Sequence, residues 1–230
     1  EKGRKGEGDR EFLKSSFQKL LLNFTWWVNR KDRTGRNVFE GGFLGLDNIG
    51  VFDRSAPLPT GGYLEQADGT AWMALYCQNM MQIAIELAGE DPVYLEQAQT
   101  FLEHFAWISV AVNRPVAKAE SMWDEDDGFF YDLLRLPDGS ATRLRVRSMV
   151  GLLPLAAATV IGPEVAARYP QLLAGAAEFA GRHSSVSSLV SCCASDFRKL
   201  VESSSAFGST KNASNSAIGA ATSNHGVRIT

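Results

Sequence analysis

The sequence has few cysteines and histidines and no excess of basic residues. Only three of its 230 residues are cysteine, Cys77, Cys192 and Cys193, and the last two are adjacent. This spacing supports neither a disulfide framework nor a zinc site. Lysine and arginine number 23 against 26 acidic residues, a formal net charge of −3, whereas a nucleic-acid-binding protein needs a basic face. We therefore predict no metal, no cofactor and no nucleic-acid partner.

Long apolar runs are also absent. No stretch approaches the roughly 18 consecutive apolar residues that a membrane span requires. The N-terminal residues are charged and lack the apolar segment of a secretory signal. The hydrophobic fraction of 45% is ordinary for a globular domain with a buried core. We therefore predict a cytoplasmic protein without a membrane partner, consisting of one domain or slightly more.

Apolar residues recur at helical spacing in several segments, which predicts about five helices. The segments are 11–30, 71–87, 92–112, 149–160 and 165–179. Asp91 and Pro92 favour a helix start, and the short connection before it predicts an antiparallel hairpin of the second and third helices. A Pro-Asp-Gly turn at 137–139 predicts a β-hairpin that pairs residues 129–136 with 142–146.

A segment rich in glycine and proline, residues 41–69, separates the first two predicted helices. Loops longer than about 12–15 residues are usually functional or disordered, and the many apolar residues here favour a functional loop. The segment carries the carboxylates Asp47, Asp53, Glu65 and Asp68. Glycosidic hydrolysis needs one carboxylic acid to protonate the leaving oxygen and a second carboxylate to activate water or attack the sugar.

Asp47 is the best candidate for the acid. Apolar neighbours such as Leu46 and Ile49 would desolvate its carboxyl group and raise its pKa, which keeps the proton available near neutral pH. The alternative is that Asp47 caps a turn and Asp53 pairs with Arg54 or another cation, the commoner fate of loop aspartates. The residues alone leave both interpretations open.

Three segments together resemble glycoside hydrolase family 63, in particular its bacterial branch related to mannosylglycerate hydrolases and processing α-glucosidases. They are 40–73, 123–132 and 145–155, and the similarity covers about residues 9–182. The resemblance implies an all-α fold, an incomplete (α/α)₆ barrel of helical hairpins with a short β-hairpin insertion. It also implies inverting hydrolysis of an α-glucoside or α-mannoside, with Asp47 of Gly45-Leu46-Asp47-Asn48 as the general acid.

The resemblance assigns further residues to the loop side of the substrate pocket. Phe43, Asn48 and Asp53 would line the innermost sugar subsite. Asp68 would lie at the start of the following helix and orient the loop. The expected ligand is an oligosaccharide or a small glycoside.

A second group of residues would lie on another side of the pocket. Trp123 and Asp124 belong to a segment that resembles this wall, although core packing is an equal alternative for Trp123. Arg145 and Arg147 lie two residues apart and can face one side of a strand. There Arg147 could contact substrate or pair with a loop carboxylate, and a solvated surface is the competing interpretation.

The composition changes after His183, where 13 of the 41 residues 184–224 are serine, against seven in residues 1–183. We expect residues 1–183 to form a partial catalytic domain and 184–230 to be disordered or unrelated to it. Family members place the glutamate that acts as general base far beyond the last matching motif, and the tail after residue 182, where the resemblance stops, has only Asp196 and Glu202 as acidic residues. The chain alone is therefore expected to be an inactive fragment that self-associates through open helix faces. The alternatives are a non-catalytic carbohydrate-binding protein and a helical interaction module.

Overall fold

The computed structural model describes most of the chain in several stretches. These are residues 8–29, 35, 37–39, 45–46, 48–54, 56–113, 121–188 and 227–229. They form two compact units that divide between Ala158 and Thr159.

Three long helices make up the helical part of the first unit: α1 (Arg10–Val28), α2 (Ala67–Leu87) and α3 (Val93–Val112). α1 begins where the Asp9 side chain accepts the N–H of Phe12 at 2.9 Å, a standard N-cap. Asp91 similarly accepts the N–H of Val93 at 3.0 Å, at the start of α3. α2 and α3 are joined by a short turn and pack against each other.

The core of this helical layer is aromatic. Phe17 and Phe24 of α1 are buried, and both contact Phe101 of α3 edge to face, at ring-centroid distances of 6.1 Å and 5.1 Å. Phe17 also contacts Tyr94 in the same manner, at 5.4 Å. Such edge-to-face pairs add to the stabilisation from burial alone.

α1 lies antiparallel to α2. The Arg10 guanidinium near the start of α1 forms ion pairs with Glu86 and Glu90 at the end of α2, at 3.1 Å and 3.4 Å. Farther along, the Tyr76 hydroxyl donates to the Leu20 carbonyl at 2.9 Å. The C-terminal end of α1 therefore lies beside the N-terminal end of α2.

The described part of the first unit also contains five short strands. β1 (Tyr63–Glu65), β4 (Asp132–Arg135) and β5 (Ala141–Leu144) form an antiparallel sheet in the order β1-β4-β5. β2 (Trp123–Asp124) pairs with β3 (Phe129–Phe130). Just before β1, the backbone of Gly62 lies close to the Arg135 carbonyl group of β4. Only glycine fits at this position, because a Cβ would lie 1.8 Å from the carbonyl oxygen.

The segment predicted as a helix over 149–160 is not one. It forms two 3₁₀ turns, Met149–Gly151 and Leu153–Ala156, and then enters strand β6 (Thr159–Ile161). Pro154 cannot donate a helical hydrogen bond, and Gly151 packs so closely that a Cβ would meet the Phe130 carbonyl oxygen at 2.2 Å. The apolar spacing misled the prediction, because Met149, Leu152 and Leu155 are exposed rather than buried.

The second unit contains β6, α4 (Pro163–Arg168), α5 (Pro170–Arg182) and β7 (Val227–Ile229). β6 and β7 pair antiparallel, and residues 184–188 form a further helical turn. The remainder of the serine-rich segment, 189–226 and residue 230, lies outside the described residues, so the expected disorder there is untested.

The prediction of an all-α fold is wrong. The structure is mixed, with antiparallel sheets beside the helices, and no (α/α)₆ barrel, complete or partial, is seen in the described part of the chain. Tertiary contacts override local preference, as where Glu65 of β1 and Arg135 of β4 are both buried and pair with each other across the sheet. Of the helices that the structure describes, none has the length and apolar character to cross a membrane.

Candidate functional site

A buried arginine anchors the loop before β1. Arg54 is only 5% exposed, and its guanidinium contacts two carboxylates, Asp68 and Asp132. Its Nε donates to Asp132 Oδ2 at 2.8 Å and its Nη2 to Asp132 Oδ1 at 3.2 Å. Nη1 donates to Asp68 Oδ2 at 3.0 Å, and Nη2 also donates to Asp68. We call Arg54, Asp68 and Asp132 the Arg54 clamp.

The fifth N–H of Arg54 reaches the loop itself. Nη1 donates to the Leu46 carbonyl oxygen at 3.1 Å, so every guanidinium donor has an acceptor. This matters because an arginine buried with an unpaired donor is costly. The clamp therefore ties residue 46 to helix α2, through Asp68, and to strand β4, through Asp132.

The backbone at the start of α2 holds the two carboxylates in place. Asp132 Oδ1 accepts the Ala67 N–H at 2.9 Å and Asp68 Oδ1 accepts the Gly69 N–H at 2.9 Å. Anionic groups are favoured at a helix N-terminus, where unpaired N–H groups and the helix dipole are positive. Gln66 adds a bond from its Nε2 to the Arg54 carbonyl at 3.0 Å.

The clamp holds two carboxylates and one cation. Burial raises the pKa of Asp132, and the positive charge of Arg54 and the Ala67 N–H oppose that rise. A carboxyl group with a raised pKa stabilises the fold at low pH and loses that contribution as the pH rises through its folded pKa. The Asp132 carboxyl group therefore contributes less to stability at neutral pH than at low pH.

A small cavity adjoins the clamp. Arg54, Asp132, Tyr131 and Ser148 line it together with apolar residues, and its volume is about 10 Å³. That is room for one water at most. The described residues alone do not enclose a hexose at this position.

A second ion-pair group lies on strand β5 and the hairpin of β2 and β3. Asp124 is 1% exposed and pairs with Arg145 at 2.7 Å and Arg143 at 3.3 Å. Its Oδ1 accepts the N–H groups of Asp126 and Asp127, each at 3.1 Å. The hydrogen bond from the Asp127 N–H and the two guanidinium charges lower the pKa of Asp124.

The pKa of Asp124 gives a prediction for pH dependence. A carboxyl group with a lowered pKa stabilises the fold above its unfolded pKa, near 3.8, and loses that contribution as the pH falls through its folded value. We expect Asp124→Asn to be less stable than the wild type at neutral pH and to lose less stability on acidification below pH 3.8. Urea unfolding at a series of pH values measures both effects.

Asp126→Asn is the matched control, because Asp126 is an exposed carboxylate in the same turn. It should keep the wild-type slope. Some acid dependence will persist in Asp124→Asn, since hydrogen bonds also lower the pKa of Asp127 and Asp138. An acid limb of unchanged steepness in Asp124→Asn would contradict the assignment.

The structure separates the predicted site residues into four groups. Phe43 and the predicted acid Asp47 lie outside the described residues. Asn48 and Asp53 are exposed in the loop. Asp68 is 2% exposed and lies in the first turn of α2, bound to Arg54.

The remaining predicted residues lie on the β2–β5 side. Trp123 is half-buried against Phe130, with ring centroids 4.8 Å apart, and Asp124 is buried in the ion pairs above. Arg147 is exposed, and its Nη2 donates to Asp127 Oδ1 at 2.6 Å. Tyr131 donates its hydroxyl proton to the same carboxylate at 2.8 Å.

Sequence reasoning missed Arg54 and Asp132 as members of the site. It considered Arg54 only as a partner of the neighbouring Asp53, whereas the structure pairs it with Asp68 and Asp132. The available signal was Arg54 as the one basic residue of the glycine-rich segment 41–69, because an arginine requires carboxylate partners if it is buried. Among the described residues, no group of three or more histidine, cysteine, aspartate or glutamate side chains could hold a metal ion.

Comparison with known proteins gives one relative without a known function. An uncharacterized protein of Saccharomyces cerevisiae is 53% identical over 168 residues, which is 68% of this chain and 15% of the yeast protein. The chain therefore spans about 15% of the length of this relative. No protein-family model and no solved structure matches the chain.

Proposed function

We propose that this chain is part of an inverting glycosidase that cleaves an α-glucoside or an α-mannoside, with Asp47 as the general acid. The Gly-Leu-Asp-Asn motif and the order of the three resembling segments support the assignment. Its structural support is the Arg54 clamp. A hydrolase of this type must hold its acid rigidly against the leaving oxygen.

The hydrogen bond from Arg54 to the Leu46 carbonyl carries the argument. Leu46 directly precedes Asp47, so a fully bonded, buried guanidinium fixes the backbone one residue before the proposed acid. An arginine with five satisfied donors has few alternative positions, because each alternative would leave a buried carboxylate unpaired. The buried clamp is therefore suited to positioning a catalytic loop.

The second carboxylate of the mechanism must come from another part of the protein. An inverting enzyme holds its base about 6.5–9.5 Å from the acid, with room for a water between them. Asp68 and Asp132 lie close to the loop, but both are buried and hydrogen-bonded to the same guanidinium, so neither is available to activate a water there. We propose that a glutamate outside this chain, in the longer protein, serves as the base.

The pairing of both nearby carboxylates, Asp68 and Asp132, with Arg54 also favours a second candidate function. In that alternative, the chain binds an α-linked sugar without cleaving it. The two functions differ in product release and not in binding, so the experiment must measure both.

The test uses the full-length yeast relative and the α-linked disaccharides maltose, isomaltose, nigerose, kojibiose and α-mannobiose. Proton NMR during hydrolysis shows which anomer appears first for the sugar whose glycosidic bond is cleaved. We expect hydrolysis of at least one disaccharide with the β-anomer released first, as inversion requires. In parallel, the present chain is titrated with the same sugars and its tryptophan fluorescence is recorded.

Each other outcome is informative. The α-anomer appearing first would exclude inversion. Fluorescence changes without any hydrolysis would support the sugar-binding alternative. Neither binding nor hydrolysis would overturn both candidates.

A further inference from the structure

We propose that a cleft between α1 and α3 is the contact surface through which two copies of this chain form a dimer. The Leu22 side chain of each copy enters the cleft of the other copy. The inference goes beyond the proposed glycosidase and does not depend on it. It assigns the expected self-association to one surface of the chain.

The cleft lies where the C-terminal half of α1 runs alongside α3. Phe24 contacts Phe101 and His104 there, at ring-centroid distances of 5.1 Å and 5.5 Å. The cleft has a volume of about 260 Å³. Its apolar walls are Leu21, Phe24 and Val28 on α1 and Phe101 on α3. Thr25 and Thr100 also line it and are exposed, so the cleft opens to solvent.

The size of the cleft fits a protruding apolar side chain better than a separate small molecule. A dry cavity of about 150 Å³ holds a benzene ring, so a leucine side chain fits within the 260 Å³ of this cleft. Pockets that enclose drug-sized ligands are larger, about 300–1,000 Å³. The expected occupant is therefore a side chain carried by another protein surface.

Leu22 is a side chain that fits this cleft. It is 75% exposed, the largest exposed fraction among the large apolar residues in the described part of the chain. Thr25 and Asn29, which line the cleft, lie three and seven residues farther along, and residues at this spacing share one face of a helix. Trp26, one turn after Leu22, is 47% exposed and extends the apolar surface. The protruding side chain and the cleft thus lie next to each other.

A surface that carries both a protruding side chain and a cleft is suited to contact a second copy of itself. In a two-fold dimer the same patch occurs on both subunits, so each contact between two residues is made twice. Two leucines then enter two clefts, and each copy covers the apolar surface that the other exposes. A different protein would need a protrusion and a pocket of its own in the same arrangement.

The patch carries no charge that would oppose this contact. Residues 20–29 contain no aspartate, glutamate, lysine or arginine, and neither do the described residues that line the cleft. A two-fold contact places a patch opposite itself, so a charge near its centre would meet the same charge on the other copy. An uncharged patch avoids this repulsion, and burial of its apolar surface supplies the free energy of association.

Sedimentation velocity of the full chain between about 1 and 200 μM, which covers micromolar dissociation constants, measures association. We expect a reversible dimer. Leu22→Glu and Thr100→Arg, at exposed positions on the two sides of the contact, should each weaken the dimer by about 10-fold or more, because each places a charge in an apolar contact. Phe12→Glu is the matched control and should dimerise like the wild type. Phe12 is 65% exposed on the same helix, about 15 Å along the axis from Leu22.

Mixing the two weakened variants distinguishes a specific contact from a folding defect. In a mixed dimer, the carboxylate introduced at position 22 lies against the guanidinium introduced at position 100 of the other copy. The second contact keeps Leu22 and Thr100. The equimolar mixture should therefore dimerise more strongly than either variant alone.

A wild-type chain that stays monomeric over this range would overturn the proposal and leave the cleft to another occupant, such as a further segment of a longer protein. Association that continues beyond a dimer, equal weakening by Phe12→Glu, or a mixture that associates no better than its components would also overturn it. None of these outcomes bears on the glycosidase proposal, which is tested by hydrolysis.

Discussion

Replacing Arg54 with methionine should lower the free energy of unfolding by about 3–5 kcal/mol, the usual cost of removing one partner from a buried ion pair. The loss is large because Asp68 and Asp132 would remain buried without their cation. Their side chains are 3% and 9% exposed. Urea unfolding followed by circular dichroism measures the change.

Two further arginine variants serve as controls. They distinguish the effect of removing any buried cation from the effect of releasing the loop. Arg135→Met removes an equally buried guanidinium, which binds Glu65 through Nε and Nη2 at 3.0 Å and 3.2 Å, and should be destabilising to a similar degree. Arg147→Met removes a guanidinium that is 65% exposed, and should change stability by less than about 1 kcal/mol.

The loop itself gives the distinguishing result. In Arg54→Met, hydrogen exchange at the Ile49 amide, which donates to the Leu46 carbonyl at 3.4 Å, should accelerate relative to core amides. In Arg135→Met it should follow the global loss of stability only. Equal local acceleration in both variants, or a cost at Arg54 as small as that at Arg147, would show that the clamp does not hold the loop.

Replacing the aspartate aligned with Asp47 by asparagine in the full-length yeast relative should reduce turnover of a disaccharide by about 10²- to 10⁴-fold, the usual contribution of a general acid or base. An amide cannot transfer a proton to the leaving sugar oxygen. Substrate binding should change little, so the loss should appear in kcat and not in KM.

The leaving group tests the role of the acid directly. An α-glycosyl fluoride or α-mannosyl fluoride needs little protonation to depart, so the same variant should lose far less activity on the fluoride than on the disaccharide. The change aligned with Asp138→Asn, an exposed aspartate in the turn between β4 and β5, is the control and should keep most activity on both. Near-normal disaccharide turnover in the Asp47 variant would remove the assignment of the acid.

The long helices could be predicted from the sequence because their signals are local. The apolar spacing of residues 11–30 predicted α1 to within a few residues, and the cap at Asp91 predicted the start of α3 equally well. The turn at 137–139 gave the connection between β4 and β5. The same spacing rule failed over 149–160, since periodicity reports a repeating face without saying whether that face meets a core or solvent.

Only part of the candidate site could be predicted from the sequence. Asp68 stood out by resemblance, but its partner Arg54 lies 14 residues away and Asp132 is 78 residues from Arg54. Those pairs exist because β1 and β4 align in register and bring the start of α2 against the start of β4. No pattern within a single segment predicts contacts between residues so far apart in the sequence.

The amino-acid order alone determined the three long helices and the turn at 137–139, since hydrogen bonds and side-chain spacing within one segment decide those features. Only the tertiary structure decided that a loop arginine is buried, which carboxylates neutralise it and which carbonyl it holds. The physical reason is that a charge can leave water only where partners from distant segments replace its hydration.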